Sequence, residues 1–253
     1  RGHVDYSKYP NSTDWSIGRN IADMRNTTLR PHFYTLGQSF TKEQEYSFVD
    51  KSEDFLSKLQ EKEQLRYVIL SIDLMGSTKM SQELGEQDNA KIVSLFLREM
   101  TIIANNFNGL VLKFLGDGII VYFHEPDFIG KNDNAINCAL VMKQFIALCL
   151  NPILKNRSMP ELKFRIGIDS GEAIKIIVGH QELKQHTDLI GQTINIATKI
   201  QSLAKENEIL LGESTVLNVH TNWRKDVVLI NSDNWSYIDQ KTGKSYKIYK
   251  LER

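Results

Sequence analysis

The fold of this chain is decided by the stretch Leu110-Val-Leu-Lys-Phe-Leu-Gly116-Asp-Gly118-Ile-Ile-Val-Tyr-Phe123. Two apolar runs of strand length flank its glycines, and Asp-Gly between such runs is the strongest short-range signal for a β-hairpin. We therefore predict antiparallel strands at about 109–115 and 118–124, with Asp117 in the turn between them.

The segments on either side of the hairpin continue an alternation of strands and helices. The spacing of apolar residues predicts a strand at 67–73, a helix at about 79–106, a helix at about 132–150, strands at 162–169 and 173–178, and a helix at about 192–204. We expect a turn at Ser170-Gly171 between the two later strands. The order β-α-β-β-α-β predicts an α+β fold with a ferredoxin-like core.

Composition restricts the class of protein. The chain has 253 residues, of which 41% are hydrophobic and 25% charged, as in a soluble globular protein. Lys plus Arg equals Asp plus Glu at 31 each, so no global basic field predicts binding to nucleic acid or to an anionic membrane. No run approaches the ~18 apolar residues of a membrane span. We predict an irregular N-terminal extension, residues 1–62, ahead of a regularly patterned domain, residues 63–253.

The two cysteines, Cys138 and Cys149, fall on one predicted helix. Eleven residues of helix separate them by roughly 16 Å, which is too far for a disulfide. We expect two reduced core cysteines, which favours a cytoplasmic location.

Two aspartates follow apolar strands and stand beside glycine. Taken alone, Asp73 fits a carboxylate near a helix N-terminus, and Asp117 fits the first residue of an Asp-Gly turn. In the predicted topology the first strand and the hairpin are neighbours, so both carboxylates can reach the same divalent cations. The backbone N–H groups of Gly76, Ser77 and Thr78 begin a helix and offer a phosphate cradle.

Further candidates each have a structural alternative. Asn195 and Lys199 are four apart on a predicted helix, so they share a face that binds a ligand or simply meets solvent. Lys244 can reach a phosphate or belong to a hairpin turn, and Lys113 lies in an alternating strand where it can face solvent.

Four motifs in this order resemble the catalytic domain of the class III nucleotidyl cyclases. They are Ser71-Ile-Asp-Leu-Met-Gly-Ser-Thr78, Lys113-Phe-Leu-Gly-Asp117, Phe164-Arg-Ile-Gly-Ile-Asp-Ser-Gly171 and Asp188-Leu-Ile-Gly-Gln-Thr-Ile-Asn-Ile-Ala-Thr-Lys199. The resemblance covers about residues 64–251. It implies a ferredoxin-like core, a nucleoside triphosphate substrate, and a head-to-tail homodimer with its active sites at the interface.

The resemblance also implies roles for single residues. Asp73, Asp117 and the carbonyl of Leu74 would hold two Mg²⁺ or Mn²⁺ ions per site. Asn195 would orient the ribose, and Lys199 stands where the family usually has an arginine that stabilises the phosphoryl group in the transition state. Lysine keeps the charge of that arginine but loses its bidentate fork.

Lys113 and Asp188 occupy the base-reading positions of the family, where this pair usually marks adenylate cyclases, and Lys244 could reach the terminal phosphates. One donor and one acceptor suit adenine and cytosine alike, and both groups also find partners on uracil and guanine. The pair therefore does not select the base; the width of the pocket and a stacking partner must do so.

Two features favour a pyrimidine substrate. Ser77 and Lys199 depart from the usual aromatic residue and arginine, and the sequence shows no receiver or other recognisable regulatory domain. Stand-alone domains of this kind resemble the pyrimidine cyclases of bacterial antiphage defence, so we predict a pyrimidine cyclase that uses UTP before CTP. An adenylate cyclase, and a degenerate nucleotide-binding module without turnover, are the alternatives.

Overall fold

The computed structural model of the chain describes residues 55–56, 58–59, 64–124, 128–178, 186–231, 235–239 and 242–253. Most of the predicted extension, residues 1–54, lies outside the described residues. The boundary between extension and domain at 62/63 stays a prediction.

One mixed sheet organises the described part of the chain. Its eight strands are β1 Gln64–Met75, β2 Gly109–Leu115, β3 Gly118–Phe123, β4 Lys163–Val178, β5 His186–Ile190, β6 Glu208–Gly212, β7 Val227–Ile230 and β8 Ile248–Leu251. Their order is β2-β3-β1-β4-β6-β8-β7, and β5 lies outside this path, paired with the last residues of β4. The pair β4–β6 is parallel, and the other pairs are antiparallel.

Helices cover both faces of the sheet. They are α1 Ser77–Leu84, α2 Glu86–Asn106, α3 Phe128–Phe145, α4 Asn151–Lys155, α5 Gln192–Leu203, α6 Glu213–Leu217 and α7 Thr221–Arg224. The order β2-β3-β1-β4, with α2 and α3 as the connecting helices, is that of a ferredoxin-like core. The predicted α+β fold class is thus confirmed.

The central strand β1 is buried on both faces, and its side chains alternate between two cores. Val68, Leu70 and Ile72 pack with α2 and α3, while Tyr67 and Ile69 pack in a second cluster that includes residues of α5. Because the period of a strand is two, Asp73 projects from the same face as Tyr67 and Ile69. This face places Asp73 beneath helix α5.

The structure corrects the predicted turn at Ser170-Gly171. Strand β4 runs without interruption from Lys163 to Val178, and Ser170 and Gly171 pair with Val68 and Tyr67 of β1. A Cβ added at Gly171 would lie 2.2 Å from the Thr193 hydroxyl oxygen. This glycine therefore serves the close approach of helix α5 to the sheet, not a turn.

Two predicted helices also differ in their bounds. The helix predicted at 79–106 is two helices, α1 and α2, divided at Gly85, whose φ of 81° is a left-handed value that favours glycine. The helix predicted at 132–150 begins at Phe128, and the single π-helical turn Ile146–Leu150 connects it to α4. Strand β5, which carries Asp188, was not predicted.

The described residues of the predicted extension, 55–56 and 58–59, include side chains that pack on the second core. Leu56 is 2% exposed in the cluster that contains Tyr67 and Tyr122, and Phe55 stacks on His124 with ring centroids 3.8 Å apart. The Lys175 ammonium donates a hydrogen bond of 2.5 Å to the carbonyl of Leu59. At least this part of the predicted extension is therefore integral to the packing of the sheet.

The helical segment Ile129–Lys155 is long and apolar enough to cross a membrane by length and composition, contrary to our reading of the sequence. Within it, 61% of the most apolar window is buried in the fold. Cys138 and Cys149 are buried in this segment and form no disulfide, and burial raises the pKa of the Cys138 thiol. The segment packs as a core helix in this structure.

A buried carboxyl on β4 couples folding to pH. Asp169 is 2% exposed and accepts a hydrogen bond from the Tyr246 hydroxyl, and burial raises the pKa of Asp169 to about 7. Between pH 4 and that value the folded chain keeps a proton that the unfolded chain releases. Because the folded state binds more protons in this window, Asp169 makes the free energy of unfolding fall as pH rises from 4 to about 7. Above about pH 7 both states are ionised, and Asp169 causes no further loss of stability.

We expect Asp169→Asn to remove this pH dependence, since the amide oxygen still accepts from Tyr246. The free energy of unfolding of the variant, relative to wild type, should rise by roughly 4 kcal/mol between pH 4 and pH 7. Urea unfolding across that range measures the difference, with Asp88→Asn, at a partly exposed position, as the matched control. Parallel curves for wild type and Asp169→Asn would contradict the assignment.

Candidate active site

Asp73 lies where three strands meet. It is near the end of β1, where it pairs in register with Gly118 of β3 and with Arg165 of β4. The register of the sheet thus brings the tip of the hairpin and the first residues of β4 to the same carboxylate, as the predicted topology required for Asp73 and Asp117.

Gly118 allows the hairpin tip to approach this carboxylate closely. A Cβ added at Gly118 would lie 2.7 Å from the carbonyl oxygen of Ile72 and 3.1 Å from Oδ1 of Asp73. Any larger residue would push the hairpin away from β1. Glycine at position 118 is therefore required for more than the turn, because it lets the hairpin hold Asp117 within interaction distance of Asp73.

The electrostatics of the aspartate pair suit a cation. Burial, and next the negative charge of Asp117, raise the pKa of Asp73. The Arg165 guanidinium donates to Asp73 Oδ2 at 2.9 Å and lowers the pKa, but it does not cancel the other two effects. Two close carboxylates that one arginine leaves under-neutralised are the oxygen donors that Mg²⁺ or Mn²⁺ prefers.

The predicted phosphate cradle begins directly after this pair. Gly76 adopts a left-handed conformation with φ 76° and precedes α1, whose first residues are Ser77 and Thr78. No side chain caps this N-terminus by a hydrogen bond. The backbone N–H groups of its first turn are therefore not capped by a side chain, which is the state that a phosphate-binding helix N-terminus requires.

Lys113 and Asp188 form an ion pair, with 2.7 Å between Nζ and Oδ2. Asp188 Oδ1 also accepts from the backbone N–H of Leu189 at 2.8 Å. A β-bulge makes the pair possible, since the register of β2 against β3 shifts between Val111 and Lys113. The structure therefore rejects the alternative of a Lys113 that simply faces solvent, although the base-reading role stays a prediction.

The remaining candidates are exposed. Asn195 and Lys199 lie on the outer face of α5, as their spacing predicted. Lys244 lies in a turn whose backbone is closed by the Asp239 N–H, which donates to the Lys244 carbonyl at 2.9 Å. The described contacts do not bring these three side chains to the aspartate pair of their own chain.

Sequence reasoning missed two residues at Asp73. Arg165 belongs to one of the four motifs, but the sequence predicted no role for it, and it predicted none for Gln201. The Gln201 amide lies 3.4 Å from Asp73 Oδ2, and Arg165 Nε is buried without a hydrogen-bond partner among the described residues. A signal existed for Arg165, because an arginine that interrupts a buried apolar strand needs an anionic partner.

A comparison with known families decides the identity of the domain. The profile of the adenylate and guanylate cyclase catalytic domain matches residues 59–249. The chain belongs to this family. The resemblance inferred from the four motifs is confirmed, and so is the enzyme class, a nucleotide cyclase domain.

The cyclase domain is similar in sequence to curated proteins of different base specificity. It is 28% identical over 218 residues to a cytidylate cyclase of Staphylococcus aureus; the match covers 82% of this chain and 50% of that protein. It is 28% identical over 163 residues to a cytidylate cyclase of Escherichia coli, and this match covers 59% of this chain and 34% of that protein. An adenylate cyclase of Anabaena cylindrica is 29% identical over 163 residues, covering 61% and 31%. The chain thus spans half or less of the length of these relatives.

Solved structures show the same fold. The adenylyl cyclase CyaB from P. aeruginosa matches with a TM-score of 0.64 and 21% identity, over 76% of this chain and 96% of that one. The guanylyl cyclase Cya2 matches with a TM-score of 0.63 and 20% identity, over 76% and 94%. At this identity the likeness establishes the cyclase fold and leaves the base open.

Proposed function

We propose that the cyclase domain converts a pyrimidine ribonucleoside triphosphate into a 3′,5′-cyclic nucleotide and pyrophosphate. The observation that carries the reaction is the half-buried Asp73 beside Asp117 at the end of the central strand, in a chain of the cyclase family. The ribose 3′-oxygen attacks the α-phosphorus in line and loses its proton. The bond from the α-phosphorus to the bridging oxygen breaks, and pyrophosphate leaves.

The residues of the chain divide the tasks of binding and orientation. Asp73, Asp117 and the Leu74 carbonyl would hold two Mg²⁺ or Mn²⁺ ions, which when bound neutralise the triphosphate and lower the pKa of the 3′-hydroxyl. The N-terminus of α1 would bind phosphate oxygens through its free N–H groups, and Arg165 fixes the orientation of Asp73. Most of the rate enhancement would then come from positioning and charge neutralisation.

Helix α5 supports a site shared between two copies of the chain. Gln201 faces Asp73 of its own chain. At about 100° per residue, Lys199 projects about 160° and Asn195 about 120° away from Gln201. These two residues therefore cannot meet the Asp73 beneath their own helix, and a partner copy must present them if they serve the reaction.

Exposed apolar residues support the same homodimer. Leu115 beside the hairpin tip is 47% exposed, and Val178 at the end of β4 and Ile190 at the end of β5 are 52% and 49% exposed. Large aliphatic side chains at such exposed positions are typical of a surface that a partner covers. We expect the second copy of the chain to bury these residues and to bring its helix α5 to Asp73 and Asp117 of the first copy.

Mixed dimers test the shared site. Asp73→Ala and Lys199→Ala proteins should each be inactive, whereas their heterodimer should recover about half of the wild-type turnover per dimer, because one of its two sites is intact. Turnover of separately tagged, co-purified heterodimers measures this. Absence of recovery in verified heterodimers would refute the shared site.

The base is the part of the proposal that rests on comparison. The Lys113–Asp188 pair is compatible with a cytosine or an adenine ring, and the sequence departures at Ser77 and Lys199 favour a pyrimidine. The two cytidylate cyclases among the relatives favour CTP, whereas our prediction from the sequence places UTP first. Adenylate cyclase remains the second candidate because of the Lys113–Asp188 pair and the Anabaena relative.

Incubation of the protein with each ribonucleoside triphosphate and Mn²⁺ decides between these bases. We expect the mass of cyclic UMP or cyclic CMP, and none from Asp117→Asn protein. Cyclic AMP as sole product would end the pyrimidine proposal, and no cyclic product from any base would end the cyclase proposal. The proposed antiphage role predicts fewer plaques on cells that express wild-type protein than on cells that express Asp117→Asn.

A further inference from the structure

Two donors converge on one oxygen of Asp73. Arg165 Nη2 lies 2.9 Å and Gln201 Nε2 lies 3.4 Å from Oδ2. The other oxygen, Oδ1, is turned toward Gly118 and the hairpin that carries Asp117. Oδ2 is thus held by Arg165 and Gln201, while Oδ1 lies against the hairpin at Gly118.

The position of Gln201 is locked by the packing of α5 on β4. A Cβ added at Gly167 would lie 2.3 Å from the backbone nitrogen of Gln201 and 2.4 Å from the carbonyl oxygen of Ala197. The first turn of the helix is equally close to β4 at Gly171. The helix is therefore packed closely on the sheet, and Gln201, which is 6% exposed, reaches Asp73 from this buried interface.

We propose that Gln201 is a positioning residue for Asp73, and that α5 serves both active sites of the dimer at once. Its inner face orients the metal-binding carboxylate of its own chain, and its outer face offers Asn195 and Lys199 to the partner's site. The second half of this inference rests on the proposed function. The first half concerns the side chains of one chain and holds without a dimer.

Binding of Mn²⁺ in the absence of nucleotide tests the first half. Gln201→Met keeps the length of the side chain and removes the amide, and the loss of a group that orients a metal ligand lowers affinity about tenfold or more. Titration calorimetry or the spin-resonance signal of free Mn²⁺ measures this. Gln192→Met is the matched control, because it makes the same change at the exposed first residue of α5 and should leave Mn²⁺ affinity at the wild-type value. Equal affinity in wild type and Gln201→Met would overturn the positioning role.

The placement of Gln201→Met in a mixed dimer tests the second half. In the heterodimer of Asp73→Ala and Lys199→Ala chains, the working site uses Asp73 of the Lys199→Ala chain. Gln201→Met should lower kcat about tenfold or more when placed in that chain. Placed in the Asp73→Ala chain, it should leave kcat unchanged.

The outcomes separate the inference from the proposed function. An equal loss for both placements would mean that Gln201 only supports folding, and a loss confined to the Asp73→Ala chain would mean that it serves the partner's site; each overturns the inference. An inactive parent heterodimer would overturn the shared site and the dual role of α5. The Mn²⁺ titration would still decide the role of Gln201 toward Asp73.

Discussion

Asp117→Asn protein should lose turnover by roughly a thousandfold or more while its fold survives. Only the charge of one metal-binding carboxylate is removed, and a correctly bound metal supplies several kcal/mol of transition-state stabilisation. The assay is steady-state turnover with Mn²⁺ and the preferred triphosphate. Asp88→Asn, at a partly exposed position on α2, is the matched control and should keep full turnover.

The same variant should be at least as stable as wild type in metal-free buffer. The charge of Asp117 raises the pKa of Asp73, so the two carboxylates disfavour each other in the folded chain. Asp117→Asn relieves this repulsion, and the pKa of Asp73 should move down toward its ordinary value. Lower activity with equal or higher unfolding temperature is the signature of a functional pair that costs stability. Full turnover would remove Asp117 from the metal site, and a lower unfolding temperature would make its role structural.

Gly167→Ala should produce a large loss of stability. The new Cβ would meet two backbone atoms of α5 within 2.4 Å, and neither can move without displacing the whole helix from β4. We expect a loss of about 3 kcal/mol or more in the free energy of unfolding. Thermal unfolding should show a decrease of roughly 6 °C or more.

Gly243→Ala is the control for Gly167→Ala. At Gly243 nothing lies within 4 Å of an added Cβ, but its φ of 67° strains any other residue. The cost there should be only about 1–2 kcal/mol, the local price of a left-handed conformation. Equal losses at the two glycines would show that the contact between α5 and β4 is softer than the distances indicate.

The architecture could be read from the sequence wherever local patterns determine it. The Asp-Gly turn, the strand before Asp73 and the helical spacing of Asn195 and Lys199 each follow from short-range periodicity and turn chemistry. The same reasoning failed at Ser170-Gly171. There a glycine that looked like a turn signal is required by a helix more than twenty residues later in the chain.

Contacts across strands were beyond the sequence pattern. The role of Arg165 depends on its register opposite Asp73, and that of Gln201 on the packing of α5 above the same carboxylate. The orientation of Lys113 depends on the β-bulge near Leu112, which could not be predicted from the alternation of apolar and polar residues. Each of these side chains acquires its function from a neighbour that is distant in sequence.

The sequence by itself determined the β-α-β-β-α-β order of the core, the family, and Asp73 and Asp117 as the candidate metal ligands, because each rests on residue types at short and regular spacing. Only the tertiary structure decided that Asp73 and Asp117 repel one another, that Arg165 and Gln201 hold the first of them, and that the Asn195/Lys199 face of α5 points away from it. The physical reason is that charge interaction and burial depend on distances through space, which strand register and helix packing set and which spacing along the chain does not.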